Sequence, residues 1–143
     1  MAVFPSEAWC QEVIRLAEAD PELAQASEGW KGDFCVVMLA QPPHLPEAFC
    51  IHLRPEGARI AEFRVLDDPD EAEEIQPAYL ARAPYGVWKG LLRGDLDPVE
   101  AVLRRQVKVE GDVQPLIERA RFKGIIDRVL GQLATTFIDE EGA

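Results

Sequence analysis

The period of the hydrophobic pattern changes along this chain from helical to extended and back. Ser6 precedes a segment that predicts a first helix over roughly 7–19, with Ser6 as its N-cap. Asp20-Pro21 predicts the start of a second, short helix that ends near Gly29. The first helix has apolar residues spaced three or four positions apart, namely Trp9, Val13, Leu16 and Ala17.

Extended patterns follow and predict five strands. Residues 34–39 are continuously apolar, which is typical of a strand covered on both faces. Glu56-Gly57 predicts the turn of a hairpin, and further strands are predicted at 78–83 and 106–110. The hairpin strands alternate, with Phe49, Ile51, Leu53, Phe63 and Val65 on one side and Cys50, His52, Arg54, Glu62 and Arg64 on the other.

Two short helices are predicted between the last two strands. Residues 85–93 form an apolar helical segment that Gly94 ends, and Asp97-Pro98 starts a helix that runs to about Arg104. The acidic segment 67–74 before them predicts a solvated loop. It lacks the ligand spacing and the glycine of a calcium loop.

The C-terminal region carries two apolar stripes on nearly opposite sides of a helical wheel. One straight helix cannot direct both at the same neighbour, so either the helix breaks near 121–124 or its second half buries a different face. The later stripe closes a pocket, packs on a second subunit in a homodimer, or does both. The first stripe comprises Val113, Leu116, Ile117 and Ala120, and the second comprises Phe122, Ile125, Ile126, Val129, Leu130, Leu133 and Phe137.

Composition narrows the class of protein. The 143 residues predict a single domain, 1–143, and the net charge of −11 disfavours nucleic acid as a partner. The same charge restricts any membrane contact to a transient, apolar one. Three widely spaced cysteines, together with no signal-peptide or membrane-span pattern, predict a cytoplasmic protein.

Catalytic and metal-binding patterns are missing from the sequence. His44 and His52 are not clustered with other ligands, and neither serine lies in a Gly-x-Ser-x-Gly elbow. Cys10 or Cys50 could pair with His52, but no third group orients such a pair. Asp95 and Asp97 resemble a pair of catalytic carboxylates, but Asp97, before Pro98, is better explained as a helix cap. We therefore expect no enzyme activity, no metal and no cofactor.

Several ordered motifs resemble one family. They are Ala83-Pro84-Tyr85 through Trp88, then Leu91-Leu92-x-Gly94-x-Leu96-Asp97-Pro98, then Val107-Lys108-Val109-x-Gly111. Softer matches lie at 4–9 and 28–34. Together they resemble the sterol carrier protein type 2 domains, which are small lipid-binding and lipid-transfer domains. Many members have Gly-Lys-Leu-Lys where this chain has Arg105-Gln106-Val107-Lys108.

The resemblance implies an α/β (α+β) fold. It comprises a five-stranded, mostly antiparallel sheet, helices that cover one face, and an apolar tunnel between sheet and helices. It also implies a non-catalytic carrier of a fatty acid, an acyl thioester, a phospholipid or a sterol-like lipid. The alternative is a structural or interaction module whose cavity is collapsed.

The resemblance places candidate ligand contacts on three parts of the chain. Sequence alone cannot separate these residues from a packed core. Arg82, Arg119 and Arg121 are candidates for binding a head group. The floor would be Phe49, Ile51, Leu53, Phe63 and Val65; the wall would be Trp88, Leu91, Leu92, Val102 and Leu103; the lid would be Phe122, Ile126, Val129 and Leu133.

Overall fold

The computed structural model of the chain describes residues 2–57, 59–112, 114–118 and 121–140. The helices are α1 (Glu7–Glu18), α2 (Pro21–Ala26), α3 (Pro69–Ile75), α4 (Tyr85–Arg93), α5 (Pro98–Leu103), α6 (Gln114–Glu118) and α7 (Arg121–Gly131). The strands are β1 (Ala2–Phe4), β2 (Phe34–Leu39), β3 (Phe49–Glu56), β4 (Arg59–Leu66), β5 (Tyr79–Pro84), β6 (Lys108–Glu110) and β7 (Thr135–Phe137).

Five strands form one mixed sheet in the order β4-β3-β2-β5-β6. The pairs β2–β3, β3–β4 and β5–β6 are antiparallel, whereas β2 and β5 run parallel at the centre. The predicted five-stranded, mostly antiparallel sheet with helices is therefore confirmed. The parallel central pair requires a long crossover, and the β3–β4 hairpin and α3 supply it.

Local signals set the helix ends. The Ser6 hydroxyl accepts a hydrogen bond from the Trp9 backbone N–H (3.1 Å), and the Asp20 carboxylate caps α2. The helix α4 spans the predicted residues and ends at Gly94, whose φ is 81°. Only a residue that tolerates the left-handed region can close a helix in this way.

The two faces of the sheet are covered differently. Val36, Met38 and Ile51 face a core that α1 and α4 complete. Cys35 and Cys50 face the opposite side, where α3 covers them, and Ala72 of α3 is 0% exposed. The continuous apolar run of β2 is therefore buried on both faces, as its pattern predicted.

The helix α3 corrects the sequence-based expectation of a solvated loop at 67–74. Asp68 accepts a hydrogen bond from the Glu71 backbone N–H (3.1 Å), and Pro69 occupies the first helical position. Ala72 and Ile75 lie three residues apart on the side that packs on the sheet. The acidic residues form only the outer side of this helix.

The described part of the C-terminal region contains two helices. The helix α7 runs without a break from Arg121 to Gly131, so it is continuous across 121–124, and residues 119–120 between α6 and α7 lie outside the described residues. The later stripe does not continue as a helix to Phe137, because α7 ends at Gly131 and β7 then pairs in parallel with β1. Val113 and Ala120 of the first stripe lie outside the described residues.

No helix in the described ranges combines the length and the apolar character that crossing a bilayer requires.

Candidate functional site

Two apolar hollows lie between the sheet and the helices. The Trp30 hollow has a volume of about 410 Å³, and the Trp88 hollow has a volume of about 310 Å³. The Trp30 hollow is lined by Val13, Ile14, Ala17, Leu23, Ser27, Trp30, Phe34, Leu53, Pro55, Gly57, Ile60, Phe122 and Ile126. The Trp88 hollow is lined by Phe4, Trp9, Cys10, Val13, Ile14, Val36, Met38, Ile51, Leu53, Phe63, Trp88, Leu91, Leu92, Pro98, Ile126, Asp127 and Leu130.

The two hollows adjoin each other. Val13, Ile14, Leu53 and Ile126 line both of them, so these four side chains form the junction. Of the described residues that line the Trp88 hollow, only Asp127 is charged. A concave, mostly apolar space of a few hundred Å³ is typical of small-molecule sites.

The Trp88 side chain is a fixed part of the wall. Its indole N–H lies 2.9 Å from the carbonyl oxygen of Ala83 and 3.1 Å from that of Val37. These carbonyls belong to β5 and β2, so the indole fastens α4 to the central pair of strands. The ring faces the hollow without a polar atom left unpaired.

Aromatic rings close one end of the Trp30 hollow. Trp30 and Phe34 stack with their ring centroids 5.8 Å apart, and Tyr79 stacks on both rings. Phe122 of α7 meets Trp30 edge to face, at 6.3 Å. This cluster joins the first residues of β2 and β5 to the helix on the other side of the hollow.

An ionic clamp, formed by Arg128 with Asp20 and Glu22, holds α7 against α2. The Arg128 guanidinium donates to both Asp20 carboxylate oxygens, at 2.7 and 2.8 Å, and to Glu22 at 3.1 Å. The hydrogen bonds from Arg128 and the backbone N–H of Leu23 hold the pKa of Asp20 below its ordinary value. Asp20 therefore acts both as the α2 cap and as the anchor of α7.

Most of the predicted contacts come together around the hollows. The residues that line one or both are Ile51, Leu53, Phe63, Trp88, Leu91, Leu92, Phe122 and Ile126. Three more, Phe49, Val65 and Leu133, pack against the core cluster that contains Met38 and Ile51. They do not line either hollow. The floor, the wall and the lid of the predicted site each contribute at least one lining residue.

Three predicted contacts lie elsewhere. Val129 is only 1% exposed and packs with Ile125 on Leu23, so it fills the contact between α2 and α7. Val102 packs against a separate cluster that contains Ala101. Leu103 is 77% exposed, because it lies about 200° around α5 from the buried Ala101.

Arg82 is the one predicted head-group arginine whose side chain is described, and it does not line the hollows. Arg82 lies on the α3 side of the sheet and pairs with Glu73 (3.0 Å) and Glu110 (3.3 Å). Its register partner is Val37, whose side chain faces α3. Arg119 and the Arg121 side chain lie outside the described residues.

The sequence-based prediction missed the contribution of the first two helices. Val13 and Ile14 of α1, Leu23 of α2 and the Trp30-Phe34 pair all line the Trp30 hollow. The periodic pattern predicts an apolar face on α1, but a periodic pattern does not separate core packing from the lining of a hollow. Only the placement of α1 across the sheet distinguishes the two roles.

The histidines and thiols show no activated pair among the described residues. His52 Nε2 lies 2.8 Å from Asp33, and His44 Nδ1 lies 3.1 Å from Asp139, so each ring faces a carboxylate rather than a thiol. Burial raises the pKa of the Cys10 thiol to about 12 and that of Cys35 and Cys50 to about 11. A thiol in this state is a poor nucleophile near neutral pH.

A metal-binding group of histidine, cysteine and carboxylate side chains is not found within the described ranges.

A polar groove adjoins the Trp88 hollow. This Arg93 groove has a volume of about 410 Å³ and shares Leu91, Leu92, Pro98, Asp127 and Leu130 with the hollow. Arg93 and Lys123 also line it. The apolar space therefore meets a charged surface between α4, α5 and α7.

Comparison with known proteins gives matches at the level of structure. No family model and no curated protein sequence matches the chain. A crystal structure of sterol carrier protein 2 has a TM-score of 0.74 at 19% identity, covering 90% of this chain and 98% of that one. The solution structure of a conserved hypothetical protein from Thermus thermophilus has a TM-score of 0.74 at 19% identity, covering 92% and 90%.

A third structure is more distant. The solution structure of sterol carrier protein domain 2 of Helicoverpa armigera has a TM-score of 0.54 at 15% identity, covering 90% of this chain and 91% of that one. At these identities the similarity is one of fold. The resemblance seen in the sequence motifs is confirmed at that level: the chain has the sterol carrier protein 2 fold.

Proposed function

We propose that the protein is a non-catalytic carrier that binds an apolar lipid in the Trp30 and Trp88 hollows. The ligand class is a fatty acid, an acyl thioester, a phospholipid or a sterol-like lipid. The cytoplasm is the compartment in which we expect it to act, in keeping with three cysteines that are buried and free.

One observation supports this proposal above the others. Two adjoining hollows share four apolar side chains, and nearly all of their lining is apolar. A half-open cleft with an almost wholly apolar lining exposes that lining to water unless something covers it, and such clefts are typical of binding sites. A lipid that fills them would restore the contacts that the lining side chains lack.

The energetics suit a carrier. Each methylene removed from water gains about 0.8 kcal/mol, so a chain of ~15 methylenes gains on the order of 12 kcal/mol before the cost of association. A bilayer offers the same methylenes a similar gain. Transfer between bilayer and protein is therefore nearly balanced, and the carrier can both load and release its ligand.

Native mass spectrometry of the purified protein tests the proposal directly. We expect an added mass that matches a lipid, which is lost on delipidation. Returning a lipid at about 100 times its Kd should raise Tm by roughly 5–10 °C. A protein that carries no added mass and whose Tm does not respond to any of the four lipid classes would refute the carrier.

A pair of variants tests the position of the ligand. Leu53→Trp adds bulk at the junction of the hollows and should lower lipid affinity by at least about tenfold, because it displaces about two methylenes. Leu39→Trp is the matched control, since Leu39 is also half-buried on this sheet but packs on the α3 side. Calorimetric titration of both variants measures the difference. Equal affinities would show that the ligand lies elsewhere.

The structural or interaction module is the alternative outcome of the same experiments. It predicts no ligand under any condition, together with a stable homodimer or a partner protein that covers the C-terminal region. Analytical ultracentrifugation of delipidated protein distinguishes the two, because the carrier requires no second subunit.

A further inference from the structure

Charged side chains meet the apolar interior at the Arg93 groove. Asp127 lines both this groove and the Trp88 hollow, whereas no described residue that lines the Trp30 hollow is charged. A second polar groove, which contains Lys31, Arg54 and Glu56 and which we call the Lys31 groove, adjoins the Trp30 hollow. It shares with that hollow three uncharged residues, Trp30, Pro55 and Gly57. The Arg93 groove is therefore where the apolar space and a charged side chain are in direct contact.

The lining of the Arg93 groove is electrically balanced. Arg93 at the end of α4 and Asp97 before α5 contribute one charge of each sign, and Lys123 and Asp127 of α7 contribute another such pair. Glu140 lies 3.6 Å from Arg93 and adds a further negative charge. A ligand with a single negative charge therefore gains little here, because the carboxylates offset the attraction of the two cations.

Opposite charges lie side by side in this groove, as they do in a head group that contains a phosphate and an ammonium. Lys123 Nζ is 3.3 Å from Asp127 Oδ2, and both side chains are more than half exposed. Exposed pairs of this kind contribute little to stability, so each group can exchange its partner for a ligand at small cost. The helices α4 and α7 also end at the groove, at Arg93 and Gly131, and the C-terminal end of a helix favours a cation.

We propose that the Arg93 groove binds the zwitterionic head group of a phospholipid whose acyl tail occupies the hollows. This inference rests on the proposed carrier function and narrows its ligand classes to one. The phosphate binds Arg93 and Lys123, and the ammonium binds Asp97 and Asp127. A fatty acid with the same tail gains the same apolar contacts, but it places a carboxylate beside Asp127 and has no group for the second carboxylate of the groove.

Calorimetric titration of delipidated protein with probes that share one acyl chain tests the proposal. The probes are lysophosphatidylcholine, lysophosphatidylglycerol, the free fatty acid and the monoacylglycerol, each below its micelle concentration at neutral pH. Lysophosphatidylcholine should bind about tenfold more tightly than lysophosphatidylglycerol or the fatty acid, because only its head group satisfies both signs of charge. The uncharged monoacylglycerol should have an affinity between these limits.

A charge-matched pair of double variants isolates the groove. Asp97→Asn with Asp127→Asn removes its carboxylates, and asparagine can still cap α5. The preference for lysophosphatidylcholine over lysophosphatidylglycerol should fall from about tenfold to about twofold or less. Asp67→Asn with Asp70→Asn removes the same charge from exposed positions at the start of α3 and should leave the preference unchanged. Equal falls in the two double variants would replace recognition at the groove by a general charge effect.

Three other outcomes overturn the proposal, and they separate it from the carrier function. Equal affinities for all four probes would show that the head group lies in solvent, which refutes the groove site and leaves the carrier intact. A fatty acid that binds most tightly, and that Lys31→Gln weakens, would place an anionic head group in the Lys31 groove instead. Binding of none of the probes would refute the carrier itself and the groove site with it.

Discussion

At the residue scale, Asp20 serves two helices with one carboxylate. It accepts hydrogen bonds from the backbone N–H groups of Glu22 and Leu23 at the start of α2. It also accepts two hydrogen bonds from the guanidinium of Arg128 in α7. The hydrogen bonds from Arg128 contribute most to keeping its pKa low. Protonation of this single group therefore weakens the contact between the two helices.

The pH dependence of stability follows from the direction of that shift. Because the pKa of Asp20 is lower in the folded than in the unfolded state, its contribution is complete above the unfolded pKa. It is lost as the pH falls through the folded pKa. Asp20→Asn keeps a capping side chain but removes the charge, so it should be less stable at pH 7 and lose less stability on acidification.

Urea denaturation from pH 7 to about pH 3 measures this difference, a range that crosses the ordinary aspartate pKa. Asp95→Asn is the control, because Asp95 is exposed after the end of α4. If the free energy of unfolding fell equally with pH in the wild type and in Asp20→Asn, the role given to the carboxylate would be wrong.

At the element scale, α7 has two apolar functions on adjacent residues. Ile125 is buried against Leu23 of α2, whereas Ile126 is 41% exposed and lines both hollows. Successive helical residues point about 100° apart, so one faces the α2 contact and the other faces the junction of the hollows. The later stripe of the sequence is therefore divided between packing and the candidate site.

This division predicts opposite effects from two alanine substitutions. Ile125→Ala should lower the free energy of unfolding by about 2–5 kcal/mol, as expected for a buried isoleucine. Ile126→Ala should change stability much less and instead weaken lipid binding, by about tenfold at most. Denaturant unfolding and calorimetric titration on both variants measure the two effects. If one of the two variants had the larger effect on both stability and lipid affinity, the two residues would not have separate roles.

Three Asp-Pro pairs show how far local signals predict the fold. Asp20-Pro21, Asp68-Pro69 and Asp97-Pro98 each cap a helix that starts at the proline. The first and third were correctly interpreted from sequence. The second lies among acidic residues that are typical of a solvated loop, although the cap and the small apolar side that packs on the sheet are also present. The Asp-Pro pair is therefore a better predictor of a helix start here than the charge of its neighbours.

Other elements had no local signal. The strands β1 and β7 contain three residues each and pair across more than 130 positions, so their pattern is too short to stand out. The lining of the hollows is equally non-local. Leu53 and Leu39 are both half-buried strand leucines, and only the positions of the helices make one a lining residue and the other a packing residue.

At the scale of the whole molecule, the charge of −11 opposes compaction through self-repulsion. Raising NaCl from about 0.01 to 0.5 M screens exposed charges, and we expect the free energy of unfolding to rise. Salt also weakens the exposed ion pairs, but the stability lost in this way is small, since each pair contributes only about 0–1 kcal/mol. Denaturant unfolding at several NaCl concentrations measures how steeply the free energy of unfolding changes with salt.

Lys31 and Arg59 are both exposed, and a double variant, Lys31→Gln with Arg59→Gln, should make stability rise more steeply with salt because it increases the excess of negative charge. A stability that falls with salt would instead indicate that attractive pairs, such as the ionic clamp, dominate.

The ionic clamp has a mechanical consequence. One guanidinium joins α2 to α7, and these two helices border the same space, so neither can swing away alone while the clamp is closed. Any widening that admits a bulky guest must carry both helices outward or first break three hydrogen bonds. Spin labels on Ala24 and Lys123 would then keep a constant separation in the intact protein and drift apart once Arg128 is replaced by methionine.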